Sequence, residues 1–217
     1  MIKLLIFDLD GTLSDTLPSI RHAINLAARK AGYPERTYDE VRAAIGDGVR
    51  MLIKKVLPED RASDECAVDE HLARYEEMYN KTYMEADRMY DGMAETLREL
   101  SLRGYRIAVL SNKQDAYVKL IVEQIVEKGI VCLAMGQRKE YPRKPDPTVP
   151  LMIAEQFGAL PSEVAFIGDS EVDIMTAKNA KMISVGCEWG YRGREVLESH
   201  GADYVISRPE ELLRIFE

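Results

Sequence analysis

The chain has 217 residues, a formal net charge of −8 and a pI near 5.1. This length allows one substantial core and a smaller accessory domain, and the acidic balance, without a basic stripe, argues against nucleic acid as a partner. The three cysteines include no CxxC pair, which argues against a disulfide framework or a thiolate zinc site. No apolar run approaches membrane-spanning length, so we expect a soluble, cytoplasmic protein without a membrane partner.

Short runs rich in Val, Ile and Leu alternate along most of the chain with helical patterns. This alternation is typical of a parallel sheet covered on both faces by helices. The predicted fold class is therefore α/β, with a three-layer, Rossmann-like core. The expected strands are 3–7, 106–110, 130–134, 164–167, 182–185 and 204–206.

One region near the N-terminus interrupts the alternation, because it contains helical patterns without strand patterns between them. We interpret it as a small all-helical domain, residues 15–83, inserted into a core formed by residues 1–14 and 84–217. The expected helices are 17–31, 38–45, 49–56 and 69–83.

The first chemical motif follows the first predicted strand and reads Asp8-Leu9-Asp10-Gly11-Thr12. In an extended chain the side chains of Asp8 and Asp10 lean to the same side, and Gly11 lets the backbone turn sharply. Two carboxylates this close repel each other unless a cation is present. A hard divalent ion such as Mg²⁺ would relieve the repulsion and leave one carboxylate usable as a nucleophile. Taken alone, the segment is equally well a turn after a strand.

Later segments supply complementary groups. A strand ends at Ser111 and Asn112, whose hydroxyl and amide can hold a phosphate oxygen. Lys144 stands in a proline-stiffened loop as a fixed point charge. Another strand ends in Asp169, with Asp173 close behind. Ligands of parallel α/β sheets bind outside the carboxyl ends of the strands, and apart from Lys144 these groups follow such ends.

These four ordered motifs resemble those of the haloacid dehalogenase superfamily, specifically its phosphatases, over essentially the whole chain. The resemblance implies that Asp8 attacks phosphorus, that Asp10 is the general acid and base, and that Ser111 and Lys144 bind the transferring group. Asp169 and Asp173 would complete a Mg²⁺ site with Asp8 and Asp10, Asp173 either binding the metal or orienting Lys144. The flanking positions Gly11, Thr12 and Asn112 match as well.

The helical insertion resembles the small cap of this family, which closes over the active site and excludes water. Within it, residues 45–50 resemble the substrate-facing loop of phosphoglycolate phosphatases. Arg50 could hold a substrate carboxylate there, with Arg42 and Lys54 as weaker candidates, or be a solvated helix residue. Residues 189–192 resemble a loop of the same group, either at the rim of the site or a packed turn. Lys181 departs from the family's usual glycine and should alter helix termination.

The function that the resemblance implies is Mg²⁺-dependent hydrolysis of a small phosphomonoester, with phosphoglycolate the leading substrate, through a phosphoaspartyl intermediate. Dehalogenation is disfavoured, because a halide leaves without a proton and dehalogenases lack the second acid, here Asp10. A phosphosugar mutase and a pyrophosphate or nucleotide hydrolase remain alternatives. A non-catalytic binding module is a further alternative, although no chemical role has lost its residue. The oligomeric state stays open.

Overall fold

A computed structural model of the chain describes residues 1–83 and 88–216. The described chain divides into two compact units, one formed by Met1–Ser14 with Met89–Glu217 and the other by Asp15–Arg88. The sequence placed the first division after residue 14 and the second after residue 83, next to residues 84–87, which lie outside the described residues. No described helix combines the length and the apolar character that crossing a membrane requires.

The first unit contains, in its described residues, a six-stranded sheet in the order β5-β4-β1-β6-β7-β8, with every pairing parallel. This confirms the predicted α/β fold. Two further short strands, β2 and β3, stand where the chain passes between the units. The strands are β1 Leu4–Phe7, β2 Ser14–Asp15, β3 Arg88–Met89, β4 Arg106–Gln114, β5 Val131–Gln137, β6 Val164–Gly168, β7 Ile183–Cys187 and β8 Tyr204–Ile206.

Helices cover the sheet because its central strands have no polar face. All four residues of β1 are fully buried, and successive side chains of a strand point to opposite faces, so both faces of the sheet are covered. On one face Leu4 and Ile6 pack in a cluster with Phe166 and Ile153. The helices of this unit are α6 Met93–Leu102, α7 Asp115–Ile125, α8 Thr148–Gln156, α9 Glu171–Asn179, α10 Arg194–Ser199 and α11 Leu212–Ile215.

The second unit is helical, as the sequence predicts. Its helices are α1 Leu17–Ala31, α2 Tyr38–Ala44, α3 Val49–Val56, α4 Glu59–Ala62 and α5 Glu65–Thr82. The predicted start of the last helix, residue 69, is four residues late, because Asp64 caps α5 by accepting hydrogen bonds from the Cys66 and Ala67 amides. The short helix α4 follows Pro58, where the sequence suggested only a break between helices.

Lys181 takes the left-handed backbone conformation after α9, with φ of 57°. Its amide donates to the Lys178 carbonyl, and the next amide, of Met182, returns to Ala177, so the helix ends in a turn that glycine adopts most easily. The expected effect of Lys181 on helix termination is therefore strain at one residue. A side chain in this conformation costs roughly 1–2 kcal/mol.

We expect Lys181→Gly to raise the free energy of unfolding by about 0.5–1 kcal/mol, because relief of the strain exceeds the added flexibility of the unfolded chain. Thermal denaturation should show a midpoint higher by about 1–4 °C. The matched control is Lys178→Gly, in the last turn of the same helix, which should destabilise the protein. Equal destabilisation by both substitutions would show that position 181 carries no strain.

Candidate active site

The candidate site lies at the carboxyl end of the central strands of the first unit. Phe7 of β1 is level with Val109 of β4 on one side and Ile167 of β6 on the other. β1 ends at this level and β6 ends one residue later, at Gly168, whereas β4 continues to Gln114. Oxygen atoms of three buried carboxylates, Asp8, Asp169 and Asp173, come within 4.8 Å of one another there.

Lys144 is the cation that balances this cluster. Its Nζ lies 3.0 Å from Asp8 Oδ1 and 2.7 Å from Asp173 Oδ1, and its side chain is 4% exposed. Burial lowers the pKa of Lys144, but the Asp173 and Asp8 carboxylates outweigh burial and raise that pKa above its usual value. Lys144 is thus a permanent positive charge beside the predicted nucleophile.

The carboxyl group of Asp8 is poorly solvated. Burial raises the pKa of Asp8 to about 6, although the Lys144 ammonium lowers it. At neutral pH the group is therefore mostly a carboxylate, the form that can attack phosphorus. The backbone amide of Asp8 donates to the Ile167 carbonyl at 2.8 Å, which continues the β1–β6 pairing up to the site.

Asp169 is held on both carboxylate oxygens. Oδ1 accepts a hydrogen bond from Thr12 Oγ1 at 3.0 Å, and Oδ2 accepts one from the Tyr191 amide at 2.7 Å. Burial, with Asp173 adding to it, raises the pKa of Asp169 well above its usual value. Gly11 makes room for this side chain, because a Cβ at position 11 would stand 2.4 Å from Asp169 Oδ2. Its φ of +83° also favours glycine.

Asp173 combines two structural tasks. Its Oδ1 accepts from Lys144, while Oδ2 accepts from the Ser170 hydroxyl at 2.6 Å and the Ser170 amide at 3.1 Å, which closes a capping box at the start of α9. Both roles that the resemblance implies for Asp173 keep a structural basis: its Oδ1 contacts Lys144, and an oxygen of its carboxylate lies within 4.8 Å of oxygens of Asp8 and Asp169.

The structure brings Ser111 and Asn112 to the same strand ends, but Asn112 has other partners than the expected phosphate. Its side-chain oxygen accepts from the Lys144 amide at 2.9 Å and its nitrogen donates to the Lys144 carbonyl at 3.2 Å. Asn112 therefore ties the loop that carries Lys144 to the end of β4. The Ser111 hydroxyl accepts from the Lys113 amide at 3.4 Å, and the hydroxyl's own hydrogen can still turn toward a phosphate.

The donor set fits a hard divalent cation. The three clustered carboxylates carry more negative charge than the one neighbouring lysine can neutralise. Asp8 Oδ1 is buried, and within the described residues it accepts no hydrogen bond of good geometry, although it forms an ion pair with Lys144. Carboxylate oxygens are the ligands that Mg²⁺ takes. The side chain of Asp10 lies outside this group of three, so its predicted part in the metal site rests on its backbone carbonyl.

Comparison with known proteins identifies the family. Residues 5–187 match the family model of haloacid dehalogenase-like hydrolases. The chain belongs to the haloacid dehalogenase-like hydrolase family. This confirms the resemblance to that superfamily. The first unit therefore has the α/β fold of these hydrolases.

Relatives within the family agree over the full length. The chain is 32% identical to a phosphoglycolate phosphatase of Vibrio parahaemolyticus, covering 99% of this chain and 96% of that protein. It is 31% identical to a phosphoglycolate phosphatase of Aquifex aeolicus, covering 100% and 97%. The crystal structure of a predicted phosphoglycolate phosphatase from Haemophilus somnus superposes with a TM-score of 0.91 at 26% identity, covering 100% and 98%.

One feature of this hydrolase site was not predicted from the sequence. Lys113 donates a 2.9 Å hydrogen bond to Asp10 Oδ1. The predicted strand ended at residue 110, so no strand pattern pointed to Lys113, and the strand is irregular beyond that residue. Arg50, by contrast, belongs to the helical unit, where its guanidinium pairs with the carboxylates of Glu65 and Asp69.

The loop at Trp189, for which the sequence left open the rim of the site or a packed turn, makes contacts with the site itself. Trp189 Nε1 donates to the Thr12 carbonyl at 3.1 Å, and the Tyr191 amide holds Asp169. Between them, a Cβ on Gly190 would stand 2.2 Å from the Asp169 Cβ and 2.5 Å from the Gly11 carbonyl oxygen. The segment is thus a brace for Asp169 rather than only a packed turn.

We expect Gly190→Ala to lower kcat by about 100-fold, because the added methyl must displace Asp169 and an error near 1 Å in a catalytic group costs that much. Steady-state phosphatase kinetics and thermal denaturation would measure the effect. Gly193→Ala is the control, since a Cβ there meets nothing within 4 Å. Gly193 has a positive φ and Gly190 does not, so backbone strain alone cannot explain a loss of kcat confined to Gly190→Ala. Equal kcat values for the two variants would refute the brace.

Proposed function

We propose that the protein is a Mg²⁺-dependent phosphatase that hydrolyses a small phosphomonoester, phosphoglycolate being the leading substrate, through a phosphoaspartyl intermediate. The observation that carries the proposal is Asp8, a buried carboxylate beside the permanent charge of Lys144, with a second acid, Asp10, two residues further along. The names of the full-length relatives support the same substrate.

In the first step an oxygen of Asp8 attacks phosphorus in line with the ester oxygen, and the bond between phosphorus and that oxygen breaks. Asp10 gives its proton to the departing alkoxide, which would otherwise be a poor leaving group. The Lys144 ammonium and the Ser111 hydroxyl bind the oxygens of the transferring group, where negative charge is carried through the transition state. The first product is an alcohol, and the enzyme carries an acyl phosphate on Asp8.

In the second step Asp10, now a carboxylate, takes a proton from water, whose oxygen attacks the phosphorus. The Asp8–phosphorus bond breaks, inorganic phosphate leaves and Asp8 returns to its starting form. Asp8, the Asp10 carbonyl and Asp169 would hold Mg²⁺, and the bound ion would supply charge neutralisation for the phosphoryl oxygens. Asp173 acts through Lys144, which it holds at 2.7 Å.

The decisive experiment measures phosphate release with Mg²⁺ from phosphoglycolate, hexose phosphates, nucleotides and pyrophosphate. We expect preference for phosphoglycolate, and for Asp8→Asn neither turnover nor the mass increase of one phosphoryl group on the intact protein. Asp91→Asn, an exposed acid of the same unit, is the control for the substitution and should keep both.

Each other result changes the proposal in a defined way. A different preferred phosphoester would keep the mechanism and replace the substrate. Turnover that survives in Asp8→Asn would exclude the phosphoaspartyl route. The absence of Asp8-dependent release from every compound would favour a mutase, which needs a bisphosphate, or a binding module.

We further propose that the helical unit selects the substrate as a cap does, with Arg50 binding the carboxylate of phosphoglycolate. Arg50 already pairs with Glu65 and Asp69, so a substrate carboxylate would have to compete for its guanidinium. The nearby Lys54 pairs with Glu65 and offsets part of that negative charge. A role of Arg50 in binding the substrate carboxylate can therefore be tested separately from a role in stabilising the helical unit.

Arg50→Gln should raise the KM for phosphoglycolate by about 10- to 100-fold, as expected for loss of one charge-assisted hydrogen bond. The KM for p-nitrophenyl phosphate, which has no carboxylate, should stay unchanged. Arg61→Gln, an exposed ion-paired arginine of the same unit, is the control. An equal rise of KM for both esters would show that Arg50 supports the helical unit and does not read the carboxylate.

The proposed setting is the cytoplasm. The cysteines Cys66, Cys132 and Cys187 all lie in the described part of the chain and are free thiols, which suits a reducing compartment. The proposed partner is a small phosphate ester, and the formal charge of −8 gives no reason to expect a nucleic acid.

A further inference from the structure

Lys113 is a buried lysine that the mechanism above leaves unused. Its side chain is 8% exposed, and its Nζ donates to Asp10 Oδ1 at 2.9 Å, with Asp10 itself only 12% exposed. Each aspartate of the first motif therefore has its own lysine, since Lys144 lies beside Asp8. The ammonium of Lys113 thus contacts the predicted general acid and base directly.

The fold brings the two residues together through neighbouring strands. Asp10 is the third residue after Phe7 of β1, and Lys113 is the fourth after Val109, the residue of β4 that is level with Phe7. Lys113 still belongs to β4, which extends to Gln114. The strand is irregular between Leu110 and Gln114, where four residues of β4 advance against two of β5, so the direction of the Lys113 side chain is given by its contact with Asp10.

An ion pair as buried as this one contributes little to the free energy of folding. Removing two charges from water costs about as much as their attraction returns, and apolar residues of similar size often serve the fold as well. A pair at this place has a clearer use in orientation. The carboxylates of Asp8 and Asp10 are two residues apart and repel each other, and a hydrogen bond to one oxygen of Asp10 fixes which way the group faces.

We propose that Lys113 is a positioning residue that holds Oδ1 of Asp10 so that Oδ2 carries the proton exchanged with the leaving group and with water. An ammonium can donate to Oδ1 whether the carboxyl group is protonated or ionised, because a protonated carboxyl keeps one acceptor oxygen. Proton transfer is then confined to one oxygen in one direction. The proposal rests on the proposed function, because it assigns Lys113 to the acid–base residue of that reaction.

The test exploits leaving groups that differ in their need for a proton. The variant is Lys113→Met, which keeps the length of the side chain and loses its charge and donors. Single-turnover phosphoenzyme formation is measured from an alkyl phosphate, phosphoglycolate or the best panel substrate, and from p-nitrophenyl phosphate, whose leaving group needs no proton. We expect a loss of about 100-fold for the alkyl ester, the scale of general acid catalysis, and of less than about threefold for the aryl ester.

Two further variants separate positioning from structure. Lys113→Arg, which keeps a cationic donor, should recover most of the alkyl rate. In an Asp10→Asn background, Lys113→Met should change neither rate further, because a residue that acts only through Asp10 has nothing left to position. Lys119→Met, which removes an exposed lysine paired with the half-buried Asp115 on α7, is the control and should leave the rates unchanged.

An equal fall in both rates, a rise in KM alone, or an added loss in the Asp10→Asn background would overturn the proposal. If Lys113→Met does not fold, the comparison is made with Lys113→Gln, for which the same selective loss is expected. Failure of the proposed function looks different, because the unaltered protein would then form no Asp8-dependent phosphoenzyme from either ester.

Discussion

The arrangement of the site depends on a cluster of buried charge that one lysine balances only in part. The carboxylates of Asp8, Asp169 and Asp173 lie together, and in the described part of the chain the Lys144 ammonium contacts two of them, Asp8 and Asp173. A fold does not keep such a cluster for stability, because isolated buried charges are costly and a single lysine cannot neutralise three acids. This excess of negative charge suits a site that binds a cation and then a phosphate. The cation would neutralise the carboxylates, and the phosphate would in turn be bound by the cation and by Lys144.

The neighbouring residues are understood by what they do for that cluster. Thr12 and the Tyr191 amide each take one oxygen of Asp169, while Ser170 takes one oxygen of Asp173. Asn112 ties the loop of Lys144 to β4, because its side-chain nitrogen donates to the Lys144 carbonyl and its side-chain oxygen accepts from the Lys144 amide. Apart from the local contact of Ser170, these groups come from distant parts of the chain, so the site depends on tertiary contacts between segments.

The sheet and its shared edge could be predicted from the sequence, because hydrophobic periodicity and strand-end chemistry are local signals. What escaped prediction depended on contacts between distant segments. The extension of β4 to Gln114 is set by pairing with β5, and it is this extension that carries Lys113 to Asp10. The contact of Tyr191 with Asp169 joins residues 22 apart, a distance at which spacing gives no sign of it.

The proposed phosphoryl chemistry and the proposed choice of substrate depend on different parts of the fold. Asp8 follows β1 and Asp169 follows β6, so the register of these strands sets their positions, and Asn112 ties the loop of Lys144 to β4. Arg50 instead lies on a helix of a separate unit and is engaged by two acids of that same unit. A phosphoryl site built on a rigid sheet constrains chemistry that is common to many esters. In the proposed function, a substrate carboxylate has to compete with Glu65 and Asp69 for the Arg50 guanidinium, and this competition would set the choice of substrate.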